Sequence, residues 1–263
     1  MADNDSLGDR MKTYEATSRY LLPRRTYTII RVDGRAFHSY LRGAEKPFDF
    51  VFIEDMGAVA VTLCEEISGA VFAYHQSDEI SVLVQDFEAP GTQAWFGGVL
   101  SKVVSVSASL AATRLYSRRP GVVLPLFDSR AFTIADRAEV ASYFIWRQRD
   151  AVRNSISMAA QAHFSAKQLH GVNTGQMQEL LWSQKGINWN DYPAAAKRGQ
   201  VAVKQSGVRE VTFTHKRTGE EQTVTAERTW WEALPAEHFT HDVLGAMIPP
   251  IGDSVANRDG GAG

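Results

Sequence analysis

The sequence predicts an α+β fold whose first half is a ferredoxin-like βαββαβ unit with an antiparallel sheet. Two observations support this: segments rich in β-branched and aromatic residues occur at four places before residue 135, and two segments with helical spacing separate them. The second half differs, with a long helical segment followed by a β-hairpin pattern. With 44% hydrophobic and 22% charged residues, the composition is that of an ordinary globular protein.

The order of the elements in the first half follows from their periodicity. The strands are predicted at 26–32, 70–74 and 80–84, with a fourth, interrupted by Pro125, over 122–127 and 131–134. The first helix is predicted from apolar residues at spacings of three and four between Phe52 and Ile67, and the second helix spans 95–115. In this topology the first and third strands are antiparallel neighbours in the middle of the sheet.

The second half is predicted to be a long helical region over 137–169 with one break, a turn-rich loop at 188–193 and a hairpin over 201–230 that turns at Arg217-Thr218-Gly219-Glu220. We therefore divide the chain into residues 1–135, 136–245 and 246–263. The last of these is expected to be a disordered tail, because 252–263 are rich in Gly, Asp and Asn.

Composition and charge exclude several classes of protein. No apolar run approaches the roughly 18–20 residues that span a bilayer, and the first residues are acidic and polar, unlike a signal peptide. Cys64 is the only cysteine, so neither an intrachain disulfide nor a cysteine-rich zinc site is possible. The net charge of −2 is unlike that of a globally basic nucleic-acid coat. We expect a cytoplasmic protein without a membrane partner.

Two aspartates are predicted to meet at one sheet edge. Asp33 ends the first strand and Asp78 opens the third, which the topology places beside it. Two carboxylates with little basic counter-charge in the same turn repel each other, and a divalent cation such as Mg²⁺ removes that cost. Gly34 lets the backbone approach a metal or a phosphate, and Glu79 could add charge or brace the turn. Each aspartate alone is also a common turn former.

Other polar side chains are weaker candidates. Lys46, Lys102 and Ser77 could hold a triphosphate, although a single surface lysine is usually solvated. His38 and His75 flank the aspartates, and we favour structural or base-contacting roles for them, because Mg²⁺ prefers oxygen ligands. The segment around Trp146 could bind phosphate or RNA, or it could form a salt-bridge network between helices or between subunits. The candidates for RNA contact are Arg147, Arg149, Arg153, Asn154, Lys197 and Arg198.

Several motifs in the right order resemble those of one family. They are Arg31 to His38, Glu45 to Pro47, Gln76 to Glu79, Ser101 to Ser105, Trp146 to Asp150, and Gly186 to Asn190. The chain resembles the tRNA-histidine guanylyltransferase superfamily, and most closely the guanylyltransferase-like 3′-5′ RNA polymerases of bacteria, archaea and phages. The resemblance implies a polymerase-like palm and a nucleotidyltransferase that adds nucleotides to RNA 5′ ends.

The resemblance also implies roles for individual residues. Asp33, the Gly34 carbonyl and Asp78 match the ligands of two Mg²⁺ ions, and we predict Asp33, Asp78 and Glu79 as catalytic. The nucleotide-binding positions are Asp33, Gly34, Arg35, Ala36, Phe37, His38, Lys46, Ser77, Asp78 and Lys102. The implied partners are tRNA, GTP, ATP and other NTPs, and the implied assembly is a homotetramer. Residues 1–135 would be the catalytic palm, and 136–245 would serve RNA binding and oligomerisation.

One departure from the family pattern bears on the substrate. Val152 stands where the eukaryotic guanylyltransferases carry a histidine tied to recognition of tRNA-histidine. We therefore predict template-directed repair of 5′-truncated tRNAs. The alternatives are addition of a single guanosine to tRNA-histidine, a palm-type nucleotide cyclase, and a catalytically silent RNA-binding protein. Arg153 or Asn154 could instead read the anticodon.

Overall fold

The fold centres on one six-stranded antiparallel sheet. The structure is a computed structural model that describes residues 6–121, 123–214, 219 and 221–251. The strands are β1 (Tyr27–Gly34), β2 (Ala70–Gln76), β3 (Glu79–Val84), β4 (Phe127–Ile134), β5 (Gln200–Thr214) and β6 (Glu221–Pro235). Their order in the sheet is β4-β1-β3-β2-β5-β6. The central, antiparallel placement of β1 and β3 is as predicted, and the α+β class is confirmed.

Helices cover both faces of the sheet. They are α1 (Leu7–Ala16), α2 (Phe37–Tyr40), α3 (Phe50–Glu66), α4 (Leu100–Arg118), α5 (Arg137–Gln161), α6 (Ala166–Leu169), α7 (Thr174–Lys185), α8 (Ala194–Arg198) and α9 (His241–Met247). Short 3₁₀ turns lie at Trp95–Gly98 and Trp189–Asp191. Among the described residues, no helix combines the length and the apolar character that crossing a bilayer requires.

Alternation along the strands sends their side chains into two separate cores. Ile30 and Val32 of β1 pack in the core that α3 and α4 cover, whereas Tyr27 and Ile29 pack in the core that α5 and α9 cover. A third cluster joins the C-terminal half of α5 to α6 and α7. Since β2 and β3 are also apolar on both faces, the central strands carry near-continuous hydrophobic sequence.

The sheet is continuous across residue 135. β5 pairs with β2 through His75↔Gln200, Tyr74↔Val201 and Ala73↔Ala202, so the hairpin of the second half extends the βαββαβ unit. Beyond these pairs β5 and β6 continue as a two-stranded ribbon. The division predicted near residue 135 therefore marks the end of a topological unit, and not a break in the sheet.

Several predicted boundaries need correction. The helix predicted to begin at Trp95 begins at Leu100, because Phe96 and Gly97 have positive φ angles and interrupt it. The fourth strand is one uninterrupted segment at the sheet edge, and Pro125 lies before it, where it interrupts no pairing. The tail does not begin at residue 246, since Ile248 is buried and its carbonyl oxygen accepts from Arg137.

Some sequence predictions fall beyond what the structure describes. Val122, the turn residues 215–218 and 220, and the tail residues 252–263 lie outside the described residues. The hairpin itself is confirmed on both sides of that turn. The sequence patterns did not reveal α1, α2, α7, α8 and α9, most of which are short.

Gly57 lies in the middle of α3, where a glycine normally weakens a helix by roughly 0.5–1 kcal/mol relative to alanine. A methyl group at this position would lie 2.7 Å from the side-chain oxygen of Gln200 and 3.1 Å from the Cβ of Ala233. The glycine therefore lets α3 approach β5 and β6 and cover a half-buried hydrogen bond between His75 Nε2 and Gln200 Oε1, 2.8 Å long.

We predict that Gly57→Ala destabilises the protein, by about 1–2 kcal/mol, although alanine is the better helix former. Gly245→Ala in α9 is the matched control, because a methyl group there meets no atom within 4 Å. It should leave stability unchanged or raise it by up to roughly 1 kcal/mol. Thermal and urea unfolding of both variants measure the effect, and an equal gain in both would contradict the packing argument.

Candidate active site

The ends of β1 and β3 bring Asp33, Gly34 and Asp78 together at one sheet edge. Asp33 is the register partner of Glu79, the residue that follows Asp78. The Gly34 amide donates to the Asp78 carbonyl oxygen at 3.0 Å, which closes the edge. The meeting of the two aspartate segments that the topology predicts is therefore present in the structure.

Gly34 permits this close approach. A Cβ at residue 34 would lie 2.8 Å from the Cβ of Asp78 and 2.5 Å from the ring of Phe37. The Phe37 ring cannot retreat easily, because it is buried against Phe52 and Phe127. Any larger residue at position 34 would push the Asp78 strand away from Asp33.

The two loops that flank the edge hold strained backbone. Ala36 has a φ of +56° and Ser77 a φ of +49°, in the left-handed region that non-glycine residues seldom occupy. Such conformations cost of order 1–3 kcal/mol each and persist only where the surroundings enforce them. Both lie within three residues of an aspartate at the edge, so the strain is concentrated at the candidate site.

The charged form of Asp78 is disfavoured at this edge. Burial raises the pKa of Asp78, and the negative charge of Asp33 raises it further. Burial also raises the pKa of Glu79, while Arg147 and Arg31 act in the opposite direction. The edge thus gathers more negative charge than its own environment stabilises.

Two arginines supply counter-charge that the sequence analysis did not anticipate. Arg147 donates to both oxygens of Glu79, at 2.7 and 2.5 Å, and Arg31 donates to Glu79 at 2.5 Å. Arg31 Nη2 also reaches Asp33, at 3.2 Å. Glu79 is buried and both its oxygens are engaged, so its geometry is that of a brace, and the carboxylates of Asp33 and Asp78 remain for a ligand.

The donor set fits a hard divalent cation. Within the described part of the chain, no three His, Cys, Asp or Glu side chains are grouped as a metal site. Two carboxylates and a backbone carbonyl leave the remaining coordination positions to water and phosphate, as Mg²⁺ prefers. The raised pKa of Asp78 means that its charged form is costly in the protein alone, and a bound cation would stabilise that form.

A cavity of about 390 Å³ adjoins the edge at Ser77. Its walls come from the loop after β1, the start of α3, the turn between β2 and β3, the C-terminal half of α5, and α8. Residues from these walls include His38, Lys46, Asp49, Phe52, Ser77, Asn154, Met158 and Ala196. The volume lies in the range of small-molecule sites, and the mixture of apolar walls with a few polar groups is typical of them.

The structure does not bring all the predicted nucleotide-binding residues to this cavity. His38, Lys46 and Ser77 line it, and Phe37 is buried in the core. Arg35 and Ala36 are exposed in the turn that precedes α2. Lys102 is exposed near the start of α4, outside the cavity lining.

The predicted RNA-binding residues fall into two groups. Arg147 is buried, and Lys197 and Arg198 hydrogen-bond to the carbonyl oxygens of Asn190 and Ala236. The second group consists of the exposed residues Arg149, Arg153 and Asn154. Arg147 forms ion pairs with Glu79 of β3 and with Asp150 of its own helix, so the network that it belongs to does not join two helices.

Sequence reasoning missed Asp49 as a part of the site, whereas it proposed a structural or base-contacting role for His75. Asp49 lines the cavity, and its side chain accepts from the Phe52 amide at 2.8 Å, so it caps α3. The Asp-Phe pair before a helical pattern is a capping signal that could have indicated it. His75 is fully buried beside the cavity, and burial lowers its pKa to about 4. Only its pairing with Gln200, which is distant in sequence, makes that burial understandable.

Comparison with known proteins points to one family. Residues 8–135 match the family model described as Thg1, tRNAHis guanylyltransferase. The tRNA(His) guanylyltransferase of Schizosaccharomyces pombe is 30% identical over 213 residues, which cover 74% of this chain and 79% of that protein.

Solved structures agree with the sequence matches. A bacterial tRNA(His) guanylyltransferase (Thg1)-like protein in complex with ATP is 41% identical, with a TM-score of 0.74, over 90% of this chain and 92% of that chain. A bacterial Thg1-like protein in complex with GTP is 39% identical, with a TM-score of 0.70, over 90% and 93% of the two chains.

The electrostatic strain at the edge leads to a prediction about metal-free protein. Asp78→Asn should raise Tm in EDTA at pH 7, because the folded pKa of Asp78 is raised and its charged form is therefore destabilising. A gain of about 1 kcal/mol would correspond to about 2–4 °C. The gain should vanish below the ordinary carboxyl pKa of about 3.9, where Asp78 is neutral in both states. Asp9→Asn, at an exposed carboxylate in α1, is the control, and an equal rise in both variants would contradict the argument.

Proposed function

The chain belongs to the tRNA(His) guanylyltransferase family, and we propose that within this family it repairs 5′-truncated tRNAs by template-directed addition of nucleotides in the 3′-to-5′ direction. As a member it is a nucleotidyltransferase, and nucleotidyltransferases of this family are generally metal-dependent. The observation that supports the transfer chemistry best is the pair of carboxylates at the β1–β3 edge beside a cavity of nucleotide size.

Asp33, the Gly34 carbonyl and Asp78 would hold two Mg²⁺ ions. When bound, Mg²⁺ would neutralise phosphate charge and make an attacking hydroxyl more acidic. The chain's own contribution is positional, as is usual for phosphoryl transfer. The apolar wall at Phe52 and Met158 would receive a base. Lys46 would lie beside the phosphates, and Lys102 would reach the triphosphate tail from α4.

The reaction that the resemblance implies has two steps. An oxygen of the RNA 5′-monophosphate bonds to the α-phosphorus of ATP, and pyrophosphate leaves. The 3′-oxygen of an incoming NTP then bonds to the RNA 5′-phosphorus, its proton passes to solvent, and AMP leaves. An RNA that carries a 5′-triphosphate skips the first step, and its pyrophosphate is the leaving group.

The proposal of repair rests on Val152. Its side chain is half-buried and packs against the third hydrophobic cluster, so it offers an anticodon base neither a stacking surface nor a hydrogen bond. Base choice would then come from pairing with the opposite strand of the acceptor stem. The tetramer and the cytoplasmic location that we predict from sequence are part of the same proposal.

The two lysines provide a test of phosphate binding. Lys46→Ala and Lys102→Ala should each raise the KM for NTP, by about tenfold or more, because a hydrogen bond to a charged group is lost. Template choice should not change. Lys185→Ala is the control, since Lys185 lies over the ring of Phe164, outside the cavity lining. Misincorporation at an unchanged KM would assign the lysines a different role.

The function itself is tested by one comparison of substrates. The enzyme should extend several 5′-truncated tRNAs with a higher kcat/KM than it shows for adding an unpaired guanosine to full-length tRNA-histidine, measured at equal concentrations with Mg²⁺ and each NTP. Asp33→Ala should abolish extension and serves as the inactive control. A preference for full-length tRNA-histidine would identify a guanylyltransferase, and a cyclic nucleotide product a cyclase. Tight RNA binding with no product would identify an RNA-binding protein.

A further inference from the structure

Arg147 is the residue through which α5 contacts the carboxylate edge. It is buried on the inner face of α5, and it donates to both oxygens of Glu79 through Nε and Nη2. Its Nη1 donates to Asp150 one turn along the helix, at 2.8 Å. A planar fork that is held at three points leaves the guanidinium little freedom to move.

The contact between α5 and β3 has a matched spacing. Tyr143 meets Ser81 at 2.9 Å between their hydroxyl oxygens, and Arg147 meets Glu79. Four residues of helix rise about 6 Å, and two residues of strand span about 6.6 Å. The two contacts therefore fix the helix lengthwise along the strand. One helical turn further, Ala151 lines the same cavity as Ser77.

The chain of contacts continues from Glu79 to Asp33. Arg31 Nη2 is shared between Glu79, at 2.5 Å, and Asp33, at 3.2 Å. The position of Arg31 therefore depends on where Glu79 lies, and Glu79 is held by Arg147. Without Arg147, Arg31 alone would have to neutralise the buried Glu79, and its hold on Asp33 would weaken.

We propose that Arg147 is a positioning residue that acts through Glu79 and Arg31 to hold the Asp33 carboxylate, and that it also sets the α5 wall of the cavity. Glu79, which the sequence suggested as catalytic, is on this view the link between α5 and the edge. The role in catalysis rests on the proposed function, whereas the coupling to Asp33 is a property of the protein alone.

Kinetics provide the first test. Arg147→Lys keeps the charge but loses the planar fork, and it should lower kcat by about 10- to 100-fold, the usual size of such a loss next to metal ligands. Glu79→Gln should lower kcat by a similar factor. The kcat of the double variant should be no lower than that of the less active single variant, because both substitutions act through the same contacts. The matched control is Arg24→Lys, which disturbs another half-buried ion pair, with Asp86, at the opposite end of β3. It should lower Tm and leave kcat unchanged.

Unfolding without metal provides the second test. In EDTA, the change in Tm caused by Asp33→Asn should differ between the wild-type and Arg147→Lys backgrounds, and it should be the same in the wild-type and Arg24→Lys backgrounds. Equal changes in all three backgrounds would overturn the proposal, as would a wild-type kcat in Arg147→Lys. If the wild type extends no tRNA but the coupling to Asp33 is present, the proposed function fails and the positioning role stands.

Discussion

The antiparallel pairing of β1 with β3 is the constraint on which the candidate site depends. The register that places Ile30 beside Val82 in one core, and Ile29 beside Leu83 in the other, also places Asp33 beside Glu79. A slip of one residue would exchange the apolar side chains of β1 between the two cores and would separate Asp33 from Glu79. Hydrophobic burial in the middle of the sheet therefore fixes the position of the carboxylates at its edge.

The edge combines groups that repel one another. Asp33 lies between Glu79 on β3 and Asp128 on β4, and Asp78 is next in the turn. Arginines oppose this charge from the next position along the sheet, where Arg31 is the register partner of Arg130. Because Arg31 and Arg147 both bond to Glu79, the charge that remains without a full partner is on the aspartates. These ion pairs stabilise the fold around the site, and the negative charge of the aspartates is left for a ligand to neutralise.

Periodicity was sufficient to predict the βαββαβ unit, because burial on both sheet faces leaves clear patterns in β1, α3 and β3. The predicted order of the strands was then sufficient to place Asp33 beside Asp78. Spacing could not identify Arg147 as the partner of Glu79, because the two are 68 residues apart and a buried arginine looks like a surface arginine in sequence. The pairing of β2 with β5 was also beyond reach, since a hairpin pattern does not say which strand it joins. The burial of His75 and its hydrogen bond to Gln200 are explained only by that pairing.

The cavity next to the carboxylates is closed by segments from distant parts of the chain. Residues of the loop after β1 form one side, and Ala195 and Ala196 of α8 form another. The strand that follows α8, β5, pairs with β2, and this pairing fixes where α8 lies. The carboxylate edge depends on segments that are relatively near in sequence, whereas the cavity beside it depends on contacts of much longer range, which in general form more slowly. We therefore expect the cavity to be completed late in folding, once β5 has joined the sheet.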